Sequence, residues 1–199
     1  PRPRVIVGLP TGVTEVEKRA VYDAVMASGA RVCYLIEEPI AAALGAGLPV
    51  AEIKGSMVVD IGGGTTDLAI YVDGDVWHTM VLAVGGNHVT QDIAHGLRLP
   101  MSQAEEVKKQ QGHAIRSDIG SEEFFSIRPF GEDHDVRINR QDLAHIIEAR
   151  IEETFGLILQ EIKRSGYDGL LPAGMVLTGG TSALPGIKHV ASEILGMPV

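Results

Sequence analysis

Apolar residues along the chain occur both in short continuous runs and at the three-to-four-residue spacing of a helix face. Short runs bounded by glycine, proline or polar residues predict strands, and longer periodic stretches predict helices. The predicted strands are residues 4–9, 32–36, the two apolar flanks of a glycine run at 58–70, 76–82, 124–127, 136–138 and 175–178. The predicted helices are residues 14–29, 40–45, one that begins at Asn87 or Thr90 and ends near Gly96, 103–111, 141–165 and 185–195. This order predicts an α/β fold with a mixed sheet flanked by helices.

Several predicted helices begin with a capping signal. Thr14 and Glu17 have the spacing of a capping box, and so do Ser102 and Glu105. Asn139 is predicted to cap the longest helix. These signals place three helix starts within one or two residues.

Two segments near the start of the chain are rich in apolar residues. The helix that follows Thr14 has one apolar face, formed by Val16, Ala20, Val21, Ala24 and Val25. The strand at 32–36 lacks alternation, which predicts burial on both faces. Its Cys33 is the single cysteine, and we expect it to be a small buried hydrophobe in a reducing compartment.

Composition excludes several classes of function. The net charge of −9 is spread along the chain, which argues against a nucleic-acid surface. No run of about 18 apolar residues and no signal peptide is found, so this segment is not expected to cross a membrane. The seven histidines lack the spacing of a zinc site, and the sequence has no Gly-x-Ser-x-Gly motif. Because the chain starts at Pro1 directly before a strand and stops in a strand-like stretch, we expect a fragment of a longer protein.

The strongest chemical signal is the glycine run Asp60-Ile61-Gly62-Gly63-Gly64-Thr65-Thr66-Asp67 between two apolar strands. Glycines let a backbone approach an anion, and successive N–H groups in such a bend form a nest for phosphate oxygens. Asp60 at the strand end could hold a hydrated Mg²⁺. The lysine of the P-loop pattern is absent. The alternative is that the glycine run is only a turn. Separately, Asp73-Gly74 after the second strand predicts a two-residue turn.

This motif resembles the second phosphate loop of the ATPase superfamily that includes actin, the DnaK-type chaperones and the sugar kinases. The stretches 10–19, 35–43 and 45–50 are similar to the bacterial actin homologue MreB. The stretch from Val84-Gly85-Gly86-Asn87-His88 to Gly112-His113 is closer to FtsA, the cell-division actin homologue. The resemblance covers most of the chain and is divided between these two families.

The resemblance implies an actin-like ATPase (ribonuclease H-like) domain with a small inserted α+β subdomain. Residues 1–99 and 166–199 would form the core subdomain (IIA-like), and residues 100–165 the inserted subdomain with the long helix (IIB-like). The nucleotide would lie in a cleft between two similar halves, each supplying one phosphate hairpin. The first hairpin would precede Pro1, so this half alone is expected to be poorly active and the intact protein to be the ATPase.

At the phosphate end, the resemblance implies that Gly62, Gly63 and Gly64 bind ATP and that Asp60 binds both nucleotide and Mg²⁺. Thr65 and Thr66 would take part in catalysis, and Gly85 and Gly86 would approach the phosphates from the far side of the cleft. Glu38, at the start of the short helix before Pro39, would orient the attacking water. Phosphoryl transfer needs mainly positioning and charge neutralisation, which one carboxylate and Mg²⁺ can supply. The alternative is that Glu38 only stabilises a helix N-terminus.

At the adenosine end, Gly179-Gly180-Thr181 resembles the motif where backbone lies against the flat base. Glu105, Lys108 and Lys109 share one face of a helix at i, i+3 and i+4. The resemblance implies that the carboxylate takes ribose hydroxyls and that a lysine lies along the base. An ordinary solvated ion-pair face explains the same spacing.

The leading functional prediction is an MreB-type cytoskeletal ATPase in bacterial cell shape. It would self-associate into filaments, work with cell-wall or division proteins, and lie in the cytoplasm at the inner face of the membrane. Any membrane anchor would lie outside this chain. The alternatives are an FtsA-like division protein, a DnaK-type chaperone ATPase, a phosphotransferase, and a nucleotide-binding adaptor that forms no filaments.

Overall fold

A computed structural model describes residues 2–48, 55–73 and 75–199. Its strands are β1 (Arg4–Leu9), β2 (Val32–Glu37), β3 (Ser56–Ile61), β4 (Thr66–Val72), β5 (Asp75–Leu82), β6 (Phe124–Ile127), β7 (Val136–Asn139) and β8 (Met175–Thr178). Its helices are α1 (Glu15–Ala27), α2 (Glu38–Gly45), α3 (Gly86–Leu97), α4 (Met101–Gln111), α5 (Arg140–Ser165) and α6 (Ile187–Leu195), with 3-10 turns at Arg116–Asp118 and Gly180–Ala183. Gly74 of the predicted turn and residues 49–50 of the MreB-like stretch lie outside the described residues.

The centre of the fold is a mixed sheet in the order β5-β4-β3-β8 among the described residues. Strand β4 pairs antiparallel with both β3 and β5, and β8 pairs in parallel with β3. Alternate residues of β3 point to opposite faces, so Met57, Val59 and Ile61 enter the main core while Val58 packs in a second cluster with Ala43 of α2. The predicted mixed sheet flanked by helices is confirmed.

Helix α5 forms the floor of that main core. Asn139 accepts a hydrogen bond from the Gln141 N–H at its start, and Gly166 ends it at a φ of +82°, both as predicted. Its buried face includes Leu143, Ile147, Ile151, Phe155, Ile158 and Ile162. The helix therefore shares one core cluster with the central sheet, and the grouping of residues 100–165 as an inserted subdomain stays a prediction. The remainder of that insert is α4 and the β6–β7 hairpin.

Strands β1 and β2 form a separate parallel sheet. Every residue of α1 is described and none is buried; Val16 is 78% exposed. In β2, Cys33 is buried as predicted, but Tyr34 is 48% exposed. The prediction of burial on both faces of β2 is therefore wrong, and the apolar face of α1 is not fully buried. The physical reason is that this sheet has only two strands among the described residues. Helices on one side therefore leave part of its surface exposed to solvent.

The helix starts are only partly as predicted. The Thr14–Glu17 capping box is present. The box at Ser102 is not, because α4 begins at Met101 after Pro100 and the Glu105 carboxylate bonds elsewhere. Helix α6 begins at Ile187 rather than Pro185, whose carbonyl instead accepts the Ala114 N–H at 2.8 Å.

Candidate functional site

The glycine run forms the loop of the β3–β4 hairpin. The paired strands bring Gly62 and Thr65 together, and the Gly62 N–H donates to the Thr65 carbonyl at 2.9 Å. Gly63, Gly64 and Thr65 are exposed at the sheet edge. The hairpin predicted from the sequence is therefore present and open on its outer side.

Two carboxylates face each other at the base of this loop. Asp60 and Asp67 are directly opposite in the antiparallel register. Burial, and then the charge of Asp67, raise the pKa of Asp60 above its ordinary value. A divalent cation with water ligands fits here, because it would remove the repulsion and needs only one or two protein carboxylates.

Gly179 closes the inner side of the same carboxylate pair. Its φ is +86°, and a Cβ there would lie 2.4 Å from both Asp60 Oδ1 and the Ile61 carbonyl oxygen. Strand β8 ends beside Asp60 through the Thr178 pairing, which delivers this glycine and the following 3-10 turn to the site. Only glycine combines this backbone conformation with this close approach.

The second glycine loop, Gly85-Gly86, lies directly against the first. Gly86 and Asn87 donate their N–H groups to the carbonyls of Gly62 and Gly63 at 2.8 and 2.7 Å. A Cβ at Gly85 would lie 2.7 Å from the Gly62 carbonyl oxygen. The two loops form one backbone unit, and the approach of Gly85-Gly86 to the phosphates from the far side of the cleft stays a prediction.

A network of side chains joins α3 to α4 next to these loops. Among the described residues, Lys108 Nζ contacts the Gly86 carbonyl oxygen at 3.0 Å, Thr90 Oγ1 at 2.8 Å and Glu105 Oε2 at 2.7 Å. Burial alone would raise the pKa of Glu105, but hydrogen bonds from Lys108 and Thr90 lower it to about 2. Lys109 contacts the other carboxylate oxygen at 3.3 Å and is mostly exposed. Glu105 is therefore a fixed anion.

These elements enclose a cavity of about 340 Å³. Its described lining residues are Gly62, Gly63, Gly86, Asn87, Glu105, Lys108, Lys109, Gly180, Thr181, Ala183, Leu184 and Pro185. This lining combines backbone and amide groups, charged side chains and apolar side chains. A more open hollow of about 770 Å³ beside α1, lined partly by Val16 and Tyr22, has neither glycine loops nor a carboxylate pair among its described lining residues.

The predicted catalytic residues are placed differently from one another. Thr66 is fully buried and its hydroxyl donates to the Val84 carbonyl at 2.7 Å, so its side chain is turned away from solvent and from the loop surface. The Thr65 hydroxyl donates to Asp67 at 3.1 Å. Glu38 is the first residue of α2, packs beside Gly8, and is not among the described residues lining the cavity.

Sequence reasoning missed Asp67, Asn87 and Thr90 as site residues. Asp67 could have been found, because a hairpin with its loop at 62–65 pairs positions 60 and 67. Thr90 gives no sequence signal, since its contact with Glu105 joins two helices.

Within residues 2–48, 55–73 and 75–199, no group of three or more His, Cys, Asp or Glu side chains could hold a metal ion. None of the helices in that described part is long and apolar enough to cross a membrane.

Comparison with known proteins gives relatives in both predicted families. The FtsA cell division protein of Pseudomonas aeruginosa is 42% identical over 86% of this chain and 41% of its own length. The MreB cell shape-determining protein of Escherichia coli is 34% identical over the whole chain and 60% of its own length. The chain thus spans about half the length of the curated relatives it matches.

Solved structures show the same fold. The crystal structure of an MreB of Spiroplasma citri bound to ADP aligns with a TM-score of 0.78 and 26% identity, over 98% of this chain and 62% of that one. The ethanolamine utilization protein EutJ of Carboxydothermus hydrogenoformans aligns with a TM-score of 0.70 and 26% identity, over 100% of this chain and 60% of that one. The actin-like fold is therefore confirmed. The model of the MreB/Mbl protein family matches residues 1–199, and the chain belongs to that family.

Proposed function

We propose that this chain is one half of an ATP-binding, ATP-hydrolysing cytoskeletal protein of the MreB type. The observation that carries the proposal is one cavity whose described lining joins glycine loops, a fixed carboxylate and apolar side chains. These three kinds of group suit the phosphates, the ribose and the base of a nucleotide. A relative of the same fold was crystallised with ADP and with AMPPNP, which supports a nucleotide ligand.

In the proposed complex, the N–H groups of the loop at Gly62–Gly64 would bind phosphate oxygens. Gly86 N–H already donates to Gly62, so it would orient that loop rather than contact the ligand. Glu105 would accept the ribose hydroxyls, and Gly180 with Thr181 would lie beside the base. Leu184 and Pro185 would remove apolar base surface from water.

Asp60 and Asp67 would hold Mg²⁺ through one or two direct bonds and water. When bound, Mg²⁺ would neutralise phosphate charge during transfer. Glu38 is proposed to orient the attacking water in the intact protein, on the strength of the family resemblance. Thr65 would fix Asp67 through its hydroxyl.

The cellular role follows from the family rather than from the cavity. MreB-type filaments in cell shape are the main proposal, with the cytoplasmic face of the membrane as the place and cell-wall proteins as partners. An FtsA-type role in division is the second candidate, because an FtsA is 42% identical over 86% of the chain. A non-filamentous adaptor is the third, because EutJ shares the fold.

Binding and turnover test the nucleotide site. Calorimetric titration of the intact protein with ATP, with and without Mg²⁺, should show binding that Asp60→Ala weakens mainly when Mg²⁺ is present. Glu38→Ala should keep binding and lose turnover. Equal affinity in wild type and Asp60→Ala, with and without Mg²⁺, would remove Asp60 from the site.

High-speed pelleting tests the cellular role. The intact protein should sediment above a critical concentration with Mg-ATP and stay in solution without it. Protein that binds ATP but never sediments would favour the adaptor and contradict the filament proposal.

A further inference from the structure

The Thr90 side chain occupies a place that the proposed nucleotide contacts do not explain. It lies on α3 behind the cavity wall, is 2% exposed, and is not among the described lining residues. Its Oγ1 donates to Glu105 Oε2 at 2.5 Å and receives a hydrogen bond from Lys108 at 2.8 Å. It also lies 3.1 Å from the Gly86 carbonyl oxygen.

These contacts form a continuous path from the first glycine loop to the Glu105 carboxylate. The Gly62 carbonyl accepts the Gly86 N–H, and the carbonyl of the same Gly86 accepts from Lys108. Lys108 and Thr90 then converge on one oxygen of Glu105, which leaves Oε1 for Lys109 or a ligand. The phosphate loop and the cavity carboxylate are therefore positioned by one network.

We propose that Thr90 is a positioning residue for the nucleotide site: it holds Glu105 in the orientation that accepts the ligand and ties that orientation to the phosphate loop. The proposal rests on the proposed function and goes beyond it, because Thr90 touches no ligand. Lys108 has the same internal role, since its ammonium group is occupied by Gly86, Thr90 and Glu105. Lys109 is then the lysine of this helix face that is open to the ligand.

The chain offers a matched control for Thr90. Thr154 on α5 is also a buried helical threonine, at 3% exposed, and its hydroxyl donates to the Arg150 carbonyl four residues earlier at 2.9 Å. Thr154→Val removes a buried hydroxyl of the same kind without touching Glu105. Any loss that Thr90→Val shows beyond Thr154→Val therefore reports the contact with Glu105 and Lys108.

The test is calorimetric titration of the intact protein with Mg-ATP and with tripolyphosphate, in wild type, Thr90→Val, Thr90→Ser and Thr154→Val. We expect Thr90→Val to weaken ATP binding about tenfold, the effect of one hydrogen bond to a charged group. Thr90→Ser should restore the affinity, and Thr154→Val should keep it. Tripolyphosphate, which has no ribose, should lose less affinity than ATP.

Two further measurements separate positioning from a loss of folding. The acid limb of ATP binding should move to higher pH in Thr90→Val, because Lys108 and Lys109 alone then hold the Glu105 carboxylate. In a Glu105→Gln background, Thr90→Val should have no further effect on affinity. Should Thr90→Val fail to fold, Thr90→Ala provides the same comparison.

The outcomes distinguish the two proposals. A wild-type protein that does not bind ATP overturns the proposed function, and the role of Thr90 with it. ATP binding that is intact in wild type but equally strong in Thr90→Val, with an unmoved acid limb, overturns only the role of Thr90.

Discussion

Two carboxylates of the candidate site, Asp60 at the base of the first glycine loop and Glu105 in the cavity lining, have their pKa values moved in opposite directions. Burial and the facing Asp67 raise the pKa of Asp60, whereas Lys108 and Thr90 hold that of Glu105 near 2. Asp60 lacks a positive charge from the described protein, and Glu105 has two lysines beside it. We infer that the Asp60 end of the site would be stabilised by a bound cation, whereas the Glu105 end is already neutralised by lysine.

Gly179→Ala should have the largest effect, because it disrupts the surroundings of Asp60 directly. The new Cβ would meet Asp60 Oδ1 and the Ile61 carbonyl at 2.4 Å, in a backbone conformation that alanine disfavours. We expect the free energy of unfolding to fall by about 3 kcal/mol. We also expect Mg²⁺-dependent ATP binding to be lost. Gly180→Ala is the matched control, because no described atom lies within 4 Å of its Cβ position. Thermal melts that show equal stability in both variants would contradict the close approach.

Asp60→Asn should remove the cation-binding end alone. Without Mg²⁺ the variant should be at least as stable as wild type, because the repulsion with Asp67 is gone. With Mg²⁺ its affinity for ATP should fall by tenfold or more, about the loss seen when metal-site partners are removed. Calorimetric titration in both conditions checks this, and a stability loss without Mg²⁺ would show that the aspartate pair stabilises the fold.

Lys108→Met and Lys109→Met sharpen the comparison at the neutralised end. Lys108 is 13% exposed and its loss removes one donor each from Gly86, Thr90 and Glu105, so we expect about 1.5 kcal/mol of destabilisation. Lys109 is 65% exposed and its pair with Glu105 is long, so its loss should cost less than about 1 kcal/mol. Urea denaturation at low and high salt measures both, and equal effects would refute the internal role of Lys108.

The smallest expected effect is in the pH dependence of stability. The raised pKa of Asp60 means that its unfavourable contribution is absent below its ordinary value of 3.8 and develops as pH rises through the folded value. The lowered pKa of Glu105 means that its favourable contribution is complete above 4.5 and is lost as pH falls toward about 2.

Metal-free Asp60→Asn should therefore be more stable than wild type near neutral pH, and Glu105→Gln less stable. Both differences should shrink in acid. Urea midpoints measured from pH 7 to pH 3 check the two signs, and a common sign would show that the two carboxylates are not opposed.

The elements carried by local signals were predicted from the sequence. The β3–β4 hairpin, the Thr14 capping box and the start and end of α5 all depend on residues close together in the chain. Glycine loops at 62–64 and 179–180 also carried enough of the chemistry to locate most of the cavity.

What could not be predicted depends on distant contacts. The burial of α1 and β2 depends on which other elements pack on them. The periodicity of the sequence shows where apolar residues lie but not what covers them. The second capping box failed because Glu105 bonds to Thr90 on another helix. Thr66 was predicted to act in catalysis together with Thr65, but strand alternation turns its side chain inward, where the hydroxyl donates to the Val84 carbonyl.

The hydrogen bonds between the two glycine loops have a consequence for hydrogen exchange. The amide protons of Gly86 and Asn87 are held by the carbonyls of Gly62 and Gly63, so they exchange only when the first loop moves away. Two amides on a helix start are thus a built-in reporter on the phosphate loop. Their exchange rates would record how firmly the loop is held, residue by residue, without a label and without a measurement of turnover.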